Sequence, residues 1–178
     1  MIDLHVHLDG SIRSTTLEEL FEGKLPNVKF YPNMGIQKAL ASFRTTPSVM
    51  QELDRITRIT EELCFDLTKY GTSTAEIRFA PQLHCNGEIE SVIDAAIAGL
   101  KPKFNLILCG LYGEPPEVLD ALVKAAKTRS RVVGIDLAGS PLEEHKWGLM
   151  DYSRPFTEAM RVGLGRTVHA GEGRPSEE

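Results

Sequence analysis

The stretch TAEIRFAPQLHCNGEIESVIDAAIAGLKPKFNLILCGLYG, residues 74–113, holds one full round of the pattern that decides the fold. TAEIRFAP reads as a strand, residues 88–100 as a helix and FNLILCGLYG as the next strand. The pattern continues in both directions. Downstream, a helix opening at Pro115 and running to about Lys127 leads into the strand VVGIDLAG (132–139). A helix near Pro155–Val162, ended by Gly163, then leads into a fifth strand, GRTVHAGE (165–172). Upstream, Val49, Leu53, Ile56, Ile59, Leu63 and Leu67 recur at three- or four-residue steps up to Gly71, which predicts one helix over 48–70. The opening MIDLHVHLDG (1–10) alternates as a strand does, with Ile2, Leu4, Val6 and Leu8 on one face and Asp3, His5, His7 and Asp9 on the other. Thr15 with Glu18 forms a capping-box signal for a short helix through Leu17 and Leu20. Residues 23–47, broken by Pro26, Pro32 and Gly35, form a lid-like insertion with an apolar segment around Leu40 and Phe43.

Strands alternating with helices about every 30 residues indicate βαβ units and a parallel sheet. Such sheets close as (β/α)₈ barrels or stay open and doubly wound. No strand is followed by GxGxxG or a P-loop. Polar residues gather instead at the C-terminal ends of several strands: His7 and Asp9, His84 just past the second, Asp136, and His169. Catalytic groups drawn from many strand ends mark a barrel. The expected fold is therefore α/β, an incomplete TIM-type (β/α)₈ barrel of about five parallel strands with intervening helices. Residues 1–178 form its N-terminal five βα units, and three more units are expected outside this chain.

Composition narrows the function classes. The 178 residues are 42% hydrophobic and 25% charged, ordinary for a globular protein, and the net charge of −5 disfavours a nucleic-acid partner. No segment approaches the roughly 18 apolar residues that span a membrane, and Asp3, His5 and His7 interrupt any signal-peptide core. Cys64, Cys85 and Cys109 lack CxxC spacing and read as reduced thiols, which makes the cytoplasm the expected location. Cys109, inside an apolar run, is expected to be a small core residue.

His5-x-His7 places two imidazoles on one strand face, about 7 Å apart at Cα, from where both can reach one metal ion. Two polar strand residues would give the same pattern. Asp9 on the same face and His169 at another strand end strengthen the metal reading. Three neutral nitrogen ligands suit Zn²⁺, and an open position would leave room for water. Glu172, three residues past His169, could act as a general acid or base, or simply open a helix. Asp136 could be catalytic or could cap loop amides. His84 is expected to serve its loop, and His145, in the charged run Glu143-Glu144-His145-Lys146, to be solvated.

HVHLDGSIR, RFAPQLH, GIDLAG and TVHAGEGRP resemble, in order, the strand-end motifs of the adenosine deaminase family of metal-dependent barrels. The resemblance runs from residue 3 to residue 175. It implies hydrolytic deamination of adenosine or 2′-deoxyadenosine by a zinc-activated water. His5, His7 and His169 would hold one Zn²⁺ per active site, and Glu172 would protonate the purine at N1. Asp9 and His7 would meet the ribose 5′ side, and Gly139 would let the purine approach the backbone, where any side chain would take ligand space. Residues 23–47 would correspond to the family's apolar lid. Two departures stand out. Ser140-Pro141 follows GIDLAG where the family has an acidic pair. The family's water-orienting histidine and its aspartate metal ligand belong to later strands, so the chain alone is expected to be inactive and to need the C-terminal remainder of the barrel. Adenine deaminases typically carry Ile-Glu-Gly where this chain has Leu8-Asp9-Gly10, which favours a nucleoside. Another 6-aminopurine derivative, or a zinc-binding module without catalysis, are the competing readings.

Overall fold

The computed structural model describes residues 1–26, 43–139 and 144–171. Among them, strands and helices alternate as the sequence pattern requires. In chain order they are β1 (Ile2–His7), α1 (Ser14–Leu20), α2 (Thr45–Val49), α3 (Leu53–Lys69), β2 (Thr74–Phe79), α4 (Ile89–Ala98), β3 (Phe104–Leu111), α5 (Pro116–Ala126), β4 (Val132–Ala138), α6 (Ser153–Arg161) and β5 (Gly165–Val168). The strands follow one another in the sheet in sequence order, β1-β2-β3-β4-β5. That order, with a helix before each new strand, is the (β/α) barrel type. The contacts divide the chain into two compact units.

The first unit holds residues 1–77 and 81–105. Its helix α3 buries Ile56, Ile59, Thr60, Leu63 and Cys64, an i, i+3, i+4 stripe. Gly71 ends the turn with φ +85°, a conformation open to glycine at little cost. Helix α4 packs against α3 so closely at Gly99 that a Cβ there would lie 2.5 Å from the Thr57 carbonyl oxygen.

Two local expectations are corrected here. The capping box of Thr15 and Glu18 does not form: α1 starts at Ser14, and Arg13 stands at the N-cap without a side-chain cap bond. Arg13 instead donates to both carboxylate oxygens of Asp66 at 2.7 Å, so a tertiary ion pair sets the entry of α1. The helix expected over 48–70 is interrupted at residues 50–52, with Glu52 extended (φ −128°). Gln51 explains the break. Its amide donates to the carbonyls of Pro47 and Leu83 and accepts from the Cys85 amide, partners that anchor the chain in a non-helical turn beside buried Met50.

The second unit holds residues 78–80 and the chain from Leu106 onward. In it β3 pairs with β4, and β4 with β5, in parallel register. Cys109 lies opposite Asp136 and Asp136 opposite Thr167, which fixes three strands at one height of the sheet. Helices α5 and α6 pack on each other, and α6 packs on β4 and β5. Ala80, Cys109 and Ala138 form a buried apolar cluster, so Cys109 is the core residue its context suggests. No helix among the described residues is long and apolar enough to cross a membrane.

Candidate metal and purine site

In the first unit, β1 carries His5 and His7 on one face, as strand parity demands. Their ring centroids are 5.3 Å apart, with His5 exposed and His7 half-buried. The strand ends in a turn closed by the Ser11 amide on the Leu8 carbonyl. That turn buries Leu8 and Asp9, and places Asp9 Oδ1 3.8 Å from His7 Nδ1. Phe43, at the described end of the lid-like insertion, meets the His7 ring edge-on at 6.2 Å. It also packs over Gly10, where a Cβ would come within 3.1 Å of its ring.

In the second unit, His169 follows β5 directly, and its amide donates to the Leu137 carbonyl at 2.9 Å. This ladder bond carries the imidazole to Asp136, where Nδ1 lies 2.8 Å from Oδ2. Arg78 reaches the same oxygen from β2, with Nη1 at 3.1 Å, and the Cys109 thiol donates to it at 3.5 Å. Asp136 is fully buried and Arg78 only 3% exposed. Burial by itself would raise the Asp136 carboxyl, but the His169 and Arg78 contacts outweigh it and hold the group below the usual carboxylate range. Asp136 is therefore neither a loop cap nor a free acid.

Gly139 follows β4 with φ +80°, and among the described residues nothing lies within 4 Å of where its Cβ would stand. His84 is fully buried after β2 and held in its loop, with its amide on the Pro81 carbonyl; desolvation lowers its pKa to about 4, partly opposed by a hydrogen bond with the Met50 backbone. His145, expected in solvent, is half-buried, and its ring packs over Gly113, where no side chain intervenes. Glu172, Leu40, Ser140 and Pro141 lie outside the described residues.

Arg78 is the site residue that spacing alone missed. Its signal was present: an arginine within EIRFA, in a strand covered on both faces, needs a buried carboxylate partner.

In each unit, strand-end histidines on a (β/α) scaffold stand as candidate metal ligands, in the second beside a buried carboxylate. The family model of adenosine deaminase matches residues 1–178, and the chain belongs to that family. The adenosine deaminase of Clostridium kluyveri is 35% identical over 96% of this chain and 55% of its own length. That of Gallus gallus is 29% identical over 98% and 58%. Among solved structures, Arabidopsis ADAL complexed with IMP superposes with a TM-score of 0.83 at 26% identity, covering 99% of this chain and 59% of its own. The chain thus spans somewhat over half the length of the relatives it matches.

Proposed function

We propose that this chain contributes to a zinc-dependent hydrolytic deaminase acting on adenosine and 2′-deoxyadenosine, releasing ammonia and leaving the inosine product. His5, His7 and His169 would hold the zinc. The donor set fits: three imidazoles are neutral ligands of the kind hydrolytic zinc takes, and His169 has its Nδ1 at Asp136, which leaves Nε2 for a metal. When bound, zinc supplies a water acidified towards neutral pH as the nucleophile for C6. This chain's own residues would supply part of the remaining chemistry. Glu172 protonates N1 of the purine, which withdraws electrons from C6 as it is attacked. His7 and Asp9 receive the 5′ side of the ribose, and the open backbone at Gly139 receives the purine edge. Phe43, edge-on to His7, would stand beside the ligand.

The observation that carries this reading is the match of the adenosine deaminase family model over residues 1–178. A nucleotide substrate is the second reading, favoured by the likeness to ADAL bound to IMP. Ile2, Leu4 and Val168 on β1 and β5 are exposed apolar residues, which supports a requirement for the remaining barrel strands. The test follows adenosine loss by ultraviolet absorbance, with and without a polypeptide supplying those strands. Adenosine turnover is expected only in the completed assembly, above that of adenine and of N6-methyl-AMP. Turnover of the nucleotide first would select the second reading. Zinc binding without turnover of any purine in the completed assembly would leave a binding module.

A further inference from the structure

Arg78 raises a question that stability does not answer. Burying a guanidinium and a carboxylate together is seldom a net gain over two apolar side chains of similar volume. Here the ion pair has a third member. Arg78 Nη1 and His169 Nδ1 converge on one oxygen, Oδ2 of Asp136, at 3.1 and 2.8 Å. The carboxylate cannot rotate away from the imidazole without also leaving the guanidinium. Its height is set by the pairing of Asp136 with Cys109 and Thr167, and the His169 backbone is tied to Leu137. The backbone bond of His169 and the carboxylate oxygen 2.8 Å from its Nδ1 together restrict the ring. An acceptor at Nδ1 also selects the Nδ1–H tautomer, which leaves the lone pair on Nε2.

We infer that Arg78 is a positioning residue: by pinning the carboxylate of Asp136, it holds His169 in the orientation and tautomer that present Nε2 to the metal. The inference rests on His169 being a metal ligand, and its test separates the two. The tautomer of His169 is read from its ¹⁵N shifts in the metal-free chain at alkaline pH, where imidazole is neutral. Affinity for Co²⁺ is read by visible absorbance in the chain joined to the later strands. The wild type is expected to show the Nδ1–H tautomer. The double variant Arg78→Met/Asp136→Leu removes both charges while keeping volume. It is expected to keep its circular dichroism, shift His169 towards the Nε2–H form and bind Co²⁺ about 10- to 100-fold more weakly. Arg78→Lys keeps a cation at the carboxylate and is expected to recover part of that affinity. An Nε2–H tautomer in the wild type would overturn the inference without any variant. So would a double variant that binds Co²⁺ as tightly as wild type. Failure of the wild type to bind Co²⁺ would instead overturn the metal reading.

Discussion

The end of β1 and the ends of β4 and β5 present histidines in opposite ways. His5 and His7 sit on one strand, two residues apart, with one ring exposed and the other half-covered. Strand parity alone puts them side by side. His169 is presented by a buried chain of groups from three strands, in which Arg78 and Asp136 stand 58 residues apart in sequence. The first arrangement needs only local geometry. The second exists only once the sheet has closed its register. The β1 histidines are therefore expected to tolerate change around them, whereas His169 depends on buried charge.

The sharpest way to break this contrast is to remove charge at the buried end. Arg78→Met leaves the Asp136 carboxylate buried beside His169 without its guanidinium. The expected loss is about 3–5 kcal/mol of unfolding free energy, the usual result of stranding one half of a buried pair. Urea denaturation monitored by circular dichroism would measure it. A loss under about 1 kcal/mol would mean that solvent reaches the pair, and the distinction between the two ends would fall.

The same contrast explains how much could be read from the sequence. The five strands and the helices between them were legible because each is written in one local period, as in TAEIRF and FNLILCGL. The His5-x-His7 pair was legible for the same reason. What escaped was decided by partners distant in the chain. Arg13 goes to Asp66 and overrides a sound capping box, and Gln51 breaks a helix whose apolar steps run straight through it. His145 lies in a charged run but finds the bare backbone of Gly113 to pack on. Asp136 was equally plausible as acid or cap until register placed Arg78 and His169 on the same oxygen.

Packing in the first unit offers a comparison free of charge. Gly99→Ala would drive a Cβ to 2.5 Å from the Thr57 carbonyl oxygen and 2.7 Å from the Thr60 Cβ, on the helix it packs against. Neither atom is the tip of a flexible side chain, so α3 and α4 must separate. The expected cost is about 2–3 kcal/mol, at the upper part of the overpacking range, read from the urea midpoint at unchanged slope. A neutral result would show that the first unit gives way easily, and would extend its tolerance from the β1 end to its core.

His84 gives the first unit a buried group of its own. Desolvation, partly opposed by the Met50 backbone bond, sets its folded pKa at about 4, against about 6.5 when unfolded. Between those values the unfolded chain binds a proton that the folded chain refuses. The stability is therefore present in full above the unfolded value and is lost as pH falls towards 4. From pH 7 to pH 5 this amounts to about 2 kcal/mol. His84→Gln should flatten that part of the pH profile, and an unchanged slope would assign the acid sensitivity to other groups.

The smallest effect is expected where the ion pairs look best formed. Arg58 on α3 donates from Nε to Glu62 at 2.9 Å and from both terminal nitrogens to Glu19 at 2.7 and 2.6 Å. The hydrogen bonds to Glu19 and Glu62 raise its pKa further, so it is charged throughout the accessible pH range. Its bonds are shorter than the 3.1 Å bond from Arg78 to the Asp136 carboxylate. Yet the Arg58 and Glu19 side chains keep 40% and 58% of their surface exposed, and water and salt solvate them nearly as well apart as together. Holding three long side chains in one geometry also costs rotamer entropy. Arg58→Met should leave the melting temperature close to wild type at physiological salt, while Arg78→Met lowers it by many degrees. If the two substitutions destabilise equally, burial is not what separates the two arginines, and bond geometry must take its place.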